Sequence, residues 1–197
     1  MNYKEVHIPS LFYYNAFLVI SDGVNTKAGT ITAPTDRFMA WKKVNGDEEI
    51  KDLFSIDYRN LDTLIYGMFE KNRLLDIIKN FILFTPKGKI MAQYHQYYGM
   101  KKAINSAVNA VKNDGRAGVV WHTQGSGKSF SMTFLAGNLV RHSKLNNPTI
   151  LVITDRNDLD GQLYDTFCSA YEFLRQEPIK CESRADVREI LEGRKTG

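Results

Sequence analysis

Long apolar runs are missing from this 197-residue chain: no stretch of about 18 apolar residues occurs, and the start Met1-Asn2-Tyr3-Lys4-Glu5 lacks the hydrophobic core of a secretory leader. A cytoplasmic protein with no membrane partner is therefore expected. Cysteine is nearly absent, and the spacing of Cys168 and Cys181 matches neither a zinc knuckle nor a redox pair. No large excess of one charge exists either: 26 Lys plus Arg against 22 Asp plus Glu is compatible with a polyanionic partner without requiring one. Repeats and low-complexity segments are lacking, and 43% hydrophobic with 24% charged residues excludes a disordered chain. One or two domains with real cores are expected.

What is present divides into three stretches. Ala16 to Ile20 is an apolar run closed by the turn signal Ser21-Asp22-Gly23, and Thr26 to Ala33 could be its partner strand. Phe38 to Asp52 is mixed and ends in Asp47-Glu48-Glu49, which suits a connector. From Asn60, Leu61, Leu64, Ile65 and Met68 recur at helical steps, followed by Leu74, Leu75, Ile78, Phe81 and Ile82, so two short helices are predicted. Pro86-Lys87-Gly88 breaks that pattern. Tyr97, Met100, Lys101, Ile104, Val108 and Val111 then mark one face of a longer helix that stops at Asn113-Asp114-Gly115. Beyond it strands and helices alternate: Ala117 to Trp121, a helix to about Arg141, Thr149 to Thr154, a helix over Leu159 to Phe173, Ile179 to Cys181, and a last helix capped by Ser183 with Asp186 three residues on. Alternation of this kind predicts an α/β unit built on a parallel sheet.

The strongest chemical signal is Thr123-Gln124-Gly125-Ser126-Gly127-Lys128-Ser129, set between a predicted strand and a predicted helix. Glycines at 125 and 127 let consecutive backbone N–H groups face a phosphate chain, and the helix behind presents its positive end there. Lys128 supplies a cation for the β- and γ-phosphates, as the catalytic candidate. The Ser129 hydroxyl is placed to hold Mg²⁺. ATP with Mg²⁺ is the implied ligand pair. The strict pattern begins with Gly where this chain has His122, so the match is not literal; a glycine-rich turn merely joining strand to helix is the competing reading.

Two weaker signals flank the loop. Gln96, within Tyr94-His95-Gln96-Tyr97-Tyr98, resembles the Q motif of superfamily 2 helicases, where a glutamine amide reads the adenine edge with one donor and one acceptor; an ordinary helix-surface glutamine is the alternative. Thr154-Asp155-Arg156-Asn157-Asp158, followed by Leu159 and Gln162, resembles motif Ia, which touches DNA backbone in such motors. Arg156 and Gln162 are the DNA-binding candidates, set against a solvated helix start in which Asp158 caps and Arg156 is idle.

Taken in order with Asn15 to Gly23 and Thr35 to Lys42 upstream, these blocks resemble the restriction subunit of Type I restriction enzymes over nearly the whole chain. The resemblance implies residues 1–46 as the end of an endonuclease-like domain, 47–90 as a helical connector, and 91–197 as the first half of a RecA-like motor domain. It also implies an ATP-dependent translocase and endonuclease that works on double-stranded DNA with methyltransferase and specificity subunits. Glu49-Ile50-Lys51 has the Glu-x-Lys spacing of the family's nuclease but follows the strand it should precede, so the nuclease carboxylates are expected upstream of Met1. An Asp-Glu pair at the end of a third core strand and the arginine finger of a second motor domain are also missing, and weak nucleotide binding without turnover is expected of this piece alone. Another superfamily 2 ATPase, or a non-catalytic module with a relic loop, are the rival readings.

Overall fold

The computed structural model describes residues 3–46, 60–155 and 157–193, and the chain divides into two compact units, 1–98 and 99–197. Among the described residues no helix is long and apolar enough to cross a membrane.

The first unit opens with single turns at Tyr3–His7 and Pro9–Phe12 and a hairpin of β1 (Phe17–Ser21) and β2 (Thr26–Thr30). Its register runs from Phe17 opposite Thr30 to Ser21 opposite Thr26, as the apolar run and turn signal led one to expect. Asp22 closes the turn by accepting from the amides of Val24 and Asn25 at 2.9 and 2.6 Å, and these bonds hold its carboxyl below the usual range. Helix α1 (Asn60–Thr63) runs on into a wider turn, Leu64–Met68, before α2 (Lys71–Asn80). Glu70 caps α2, its carboxylate accepting from the amides of Asn72 and Arg73.

Here the structure departs from the helical pattern read in the sequence. Ile82 does not continue α2; it begins β3 (Ile82–Thr85), which pairs antiparallel with β4 (Gly88–Met91) across the Pro86-Lys87 turn. Ile82 and Leu83 are both apolar and buried, so helical spacing alone could not separate them from α2. Gly88 at φ 114° gives the tight return. The core of this unit is aromatic: Phe81 and Tyr97 lie edge to face at 4.8 Å, and Trp41 sits 5.8 Å from both Tyr97 and Tyr98. The Tyr97 hydroxyl donates to Asp76 at 2.9 Å. Burial first, and the Asp76 carboxylate second, push that phenol far above its ordinary value, so it stays a donor.

Helix α3 (Tyr94–Ala110) contains the boundary between the units, and it ends three residues before the sequence-read stop at Asn113. In the second unit α4 (Lys128–Val140), α5 (Asn157–Cys168), α6 (Tyr171–Leu174) and α7 (Arg184–Gly193) follow. The helix read over Leu159 to Phe173 is thus two helices, broken at Ser169-Ala170. The α4–α6 contact is close: a Cβ on Gly137 would come within 2.2 Å of Phe173, whose ring also carries the Arg141 guanidinium at 4.1 Å. At α7 the expected capping box is present, with Asp186 N–H donating to Ser183 Oγ at 3.2 Å and Ser183 N–H donating back to the Asp186 carboxylate at 3.1 Å.

The expected parallel sheet is not seen among the described residues. Ala117 to Trp121, Thr149 to Thr154 and Ile179 to Cys181 run without ladder bonds, and the sheets among the described residues are the two antiparallel hairpins of the first unit. Parallel strands need cover on both faces, and here the apolar side chains lack it: Val119 is 96% exposed, Trp121 80% and Ile153 82%. A cavity of about 560 Å³ lies against the segments 149–154 and 179–181, lined by Ile150, Val152, Leu163, Phe167 and Ile179. The fold class at this level is mixed α/β, with helices and small antiparallel sheets.

Candidate nucleotide-binding site

The second unit presents the loop His122 to Lys128 between an extended segment and the start of α4. Gly125 and Gly127 sit at φ 76° and 74°, a backbone region that side chains rarely adopt, and Gly127 is the N-cap of α4. Left-handed residues alternating with ordinary ones turn successive amides toward one side, which makes an anion-binding concavity at a helix start. A Cβ added at Gly125 would meet no atom within 4 Å, so the glycine there answers to conformation and not to crowding.

The loop's carbonyls are gathered on its own lysine. Lys128 Nζ donates to the carbonyl oxygens of His122 at 3.1 Å and Thr123 at 2.8 Å, and the Ser126 hydroxyl donates to the same Thr123 oxygen at 2.7 Å. These bonds fold the ammonium back over the loop while its side chain stays exposed to solvent. Behind it, Ser131 N–H donates to Gly127 O at 3.0 Å and Thr133 Oγ1 donates to Ser129 O at 2.9 Å, which fixes the first turn of α4. Thr123, Gln124 and Gly125 are exposed and Ser126, Gly127 and Ser129 partly so, leaving the concave side open. The donor set suits a polyphosphate: main-chain amides, one ammonium and a hydroxyl at Ser129.

Gln96 belongs to the first unit. It is only 4% exposed, and its Oε1 accepts from Gln93 N–H at 2.9 Å. That is the N3 half of a capping box at the start of α3, a role for which a glutamine three residues into a helix is the sequence signal. Gln162 lies exposed on α5. Arg156 and Glu49-Ile50-Lys51 fall outside the described residues.

Residues 95–197, more than half of the chain, match the family model described as SWI2/SNF2 ATPase. The chain belongs to the SWI2/SNF2 ATPase family. The match begins within α3 and takes in the glycine loop and every helix after it. Over 99% of its length this SWI2/SNF2 chain is also 44% identical to the Type I restriction enzyme HindI endonuclease subunit of Haemophilus influenzae, of which it covers 19%. It is 36% identical over 95% of its length to the putative type I restriction enzyme MjaIXP endonuclease subunit of Methanocaldococcus jannaschii, again covering 19% of that protein. A second protein of that organism, the putative MjaVIIIP endonuclease subunit, is 32% identical over 84% of the chain, which covers 16% of it. The chain therefore spans about a fifth of the length of these curated relatives. Residues ahead of the ATPase match share in the similarity, since the first two alignments cover nearly the whole chain.

Proposed function

We propose that this chain is part of the ATP-dependent, DNA-translocating and DNA-cleaving subunit of a Type I restriction enzyme, and that the loop from His122 to Ser129 is its ATP site. The observation that carries the ATP site is the pair of left-handed glycines at the head of α4 with Lys128 anchored beside them. The similarity of residues ahead of position 95 to endonuclease subunits favours this over another superfamily 2 motor.

In this reading the amides of Gly125 to Ser129 bind the phosphate chain, and Lys128 gives up its two carbonyl partners to reach the β- and γ-phosphates. Thr123 and Gln124 shape the mouth of the loop. The Ser129 hydroxyl would hold Mg²⁺, which when bound would supply charge stabilisation at the transferring phosphoryl group. Gln96 offers its amide to the adenine edge, for which its oxygen would have to leave Gln93 N–H. Arg156 and Gln162 contact DNA backbone without reading sequence. The segments 117–121, 149–154 and 179–181 become strands of a RecA-like parallel sheet in the full-length subunit, which fits their apolar sequences. Double-stranded DNA is the substrate, and methyltransferase and specificity subunits are the partners.

The test is Lys128→Ala in the full-length subunit, assembled with its partners. ATP-dependent translocation should disappear while assembly persists; translocation at the wild-type rate would remove Lys128 from the site.

A further inference from the structure

The first unit carries a concentration of positive charge that nucleotide binding leaves unused. From Lys71 to Gln93 the chain holds Lys71, Arg73, Lys79, Lys87 and Lys89 against one carboxylate, Asp76. Two of these charges work inside the fold: Arg73 donates to the carbonyls of Tyr66 and Gly67 and sits 5.6 Å from the Tyr98 ring, while Asp76 accepts from Tyr97 and Asn80. The β3–β4 hairpin is different. Lys87 is exposed in its turn, and Lys89 stands opposite Phe84 in register with its ammonium 5.3 Å from that ring. Phe84 is 56% exposed, an unusual position for a large aromatic on a strand whose neighbours Ile82 and Leu83 are buried. Among the described residues neither Lys87 nor Lys89 pairs with a carboxylate.

The hairpin is braced to present these groups. Lys89 N–H donates to Thr32 Oγ1 at 3.0 Å, Thr30 Oγ1 donates to Lys89 O at 3.2 Å, and Thr85 Oγ1 donates to Gly88 O at 2.8 Å. Two ammoniums that pair with no carboxylate among the described residues, held on a fixed ribbon beside a half-exposed aromatic ring, match the alternation of phosphate and sugar along a nucleic-acid strand. We propose that the β3–β4 hairpin is a DNA-backbone contact, with Lys87 and Lys89 each on one phosphate and Phe84 against the intervening sugar. The proposal rests on the DNA-motor reading above. Such a contact holds DNA without selecting sequence, as a moving enzyme requires.

Binding of the full-length subunit to a short duplex lacking any recognition site, followed by fluorescence anisotropy across a salt series, decides the matter. Each phosphate contact contributes about 0.9 to the slope of log K against log salt, so Lys87→Ala/Lys89→Ala should lower the slope by about 1.8. At about 0.1 M salt the same arithmetic gives an affinity loss of up to about 60-fold. The single variants should each lower the slope by about 0.9, which keeps the test open should the double variant fold poorly. Lys87→Arg/Lys89→Arg should retain the wild-type slope, and all variants should bind nucleotide as the parent does. An unchanged slope overturns the proposal, and so does a loss of subunit assembly with the slope intact, which would make the hairpin a protein interface. Failure of the ATP-site reading would show separately, as undiminished nucleotide binding by Lys128→Ala.

Discussion

Gly125 separates conformational from steric explanations of the loop. Its φ is 76°, and nothing lies within 4 Å of where a methyl group would be, so Gly125→Ala introduces no clash with the protein. The cost is in the backbone: an L-residue held in the left-handed region loses about 1–2 kcal/mol. A free loop carrying alanine relaxes out of that region, and nucleotide binding must restore it. With about 1.4 kcal/mol per tenfold, the dissociation constant should rise by roughly 5- to 30-fold. Asparagine tolerates the left-handed region better, so Gly125→Asn should lose less than Gly125→Ala despite its larger side chain. Titration of a fluorescent ATP analogue with Mg²⁺ into the full-length variants reads both numbers. Wild-type affinity in the alanine variant, or a greater loss with asparagine than with alanine, would refute the backbone argument.

Two further predictions concern the scaffold. Gly67→Ala would place a Cβ 2.4 Å from Trp41 Cδ1, 2.7 Å from its Nε1 and 3.0 Å from Lys43 O; overpacking of this kind costs about 1–3 kcal/mol, visible as a melting temperature several degrees lower. Glu70→Ala removes the cap of α2. The Glu70 carboxyl is held below its usual range by the amides of Asn72 and Arg73, so its contribution is present above the unfolded carboxyl pKa and is lost as pH falls through the folded one. Chemical denaturation should therefore show the variant weakened near neutrality and indistinguishable from wild type in strong acid; a gap that persists in acid would exclude the carboxylate as its source.

Local rules carried much of the sequence reading. The β1–β2 hairpin was legible because an apolar run met a turn signal, and the Ser183–Asp186 cap because its chemistry lies within four residues. The glycine loop was legible for the same reason: positive φ at 125 and 127 is what glycine supplies. The β3–β4 hairpin was hidden because Phe81, Ile82 and Leu83 form an unbroken apolar run behind α2, with no alternation to mark a change of period. Gln96 shows the limit of pattern matching. The residue that suggests adenine recognition also satisfies the capping signature, and its oxygen accepts from Gln93 N–H. The extended segments 117–121 and 149–154 show a different limit, since their sequences suit buried strands but pairing depends on neighbours that apolar content does not provide.

The most direct measurement is a structure of the full-length subunit with a non-hydrolysable ATP analogue and Mg²⁺. The β- and γ-phosphates should lie against the amides of Gly125 to Ser129, with Lys128 Nζ moved off the carbonyls of His122 and Thr123. Phosphates bound elsewhere, with Lys128 still on those two oxygens, would contradict the assignment.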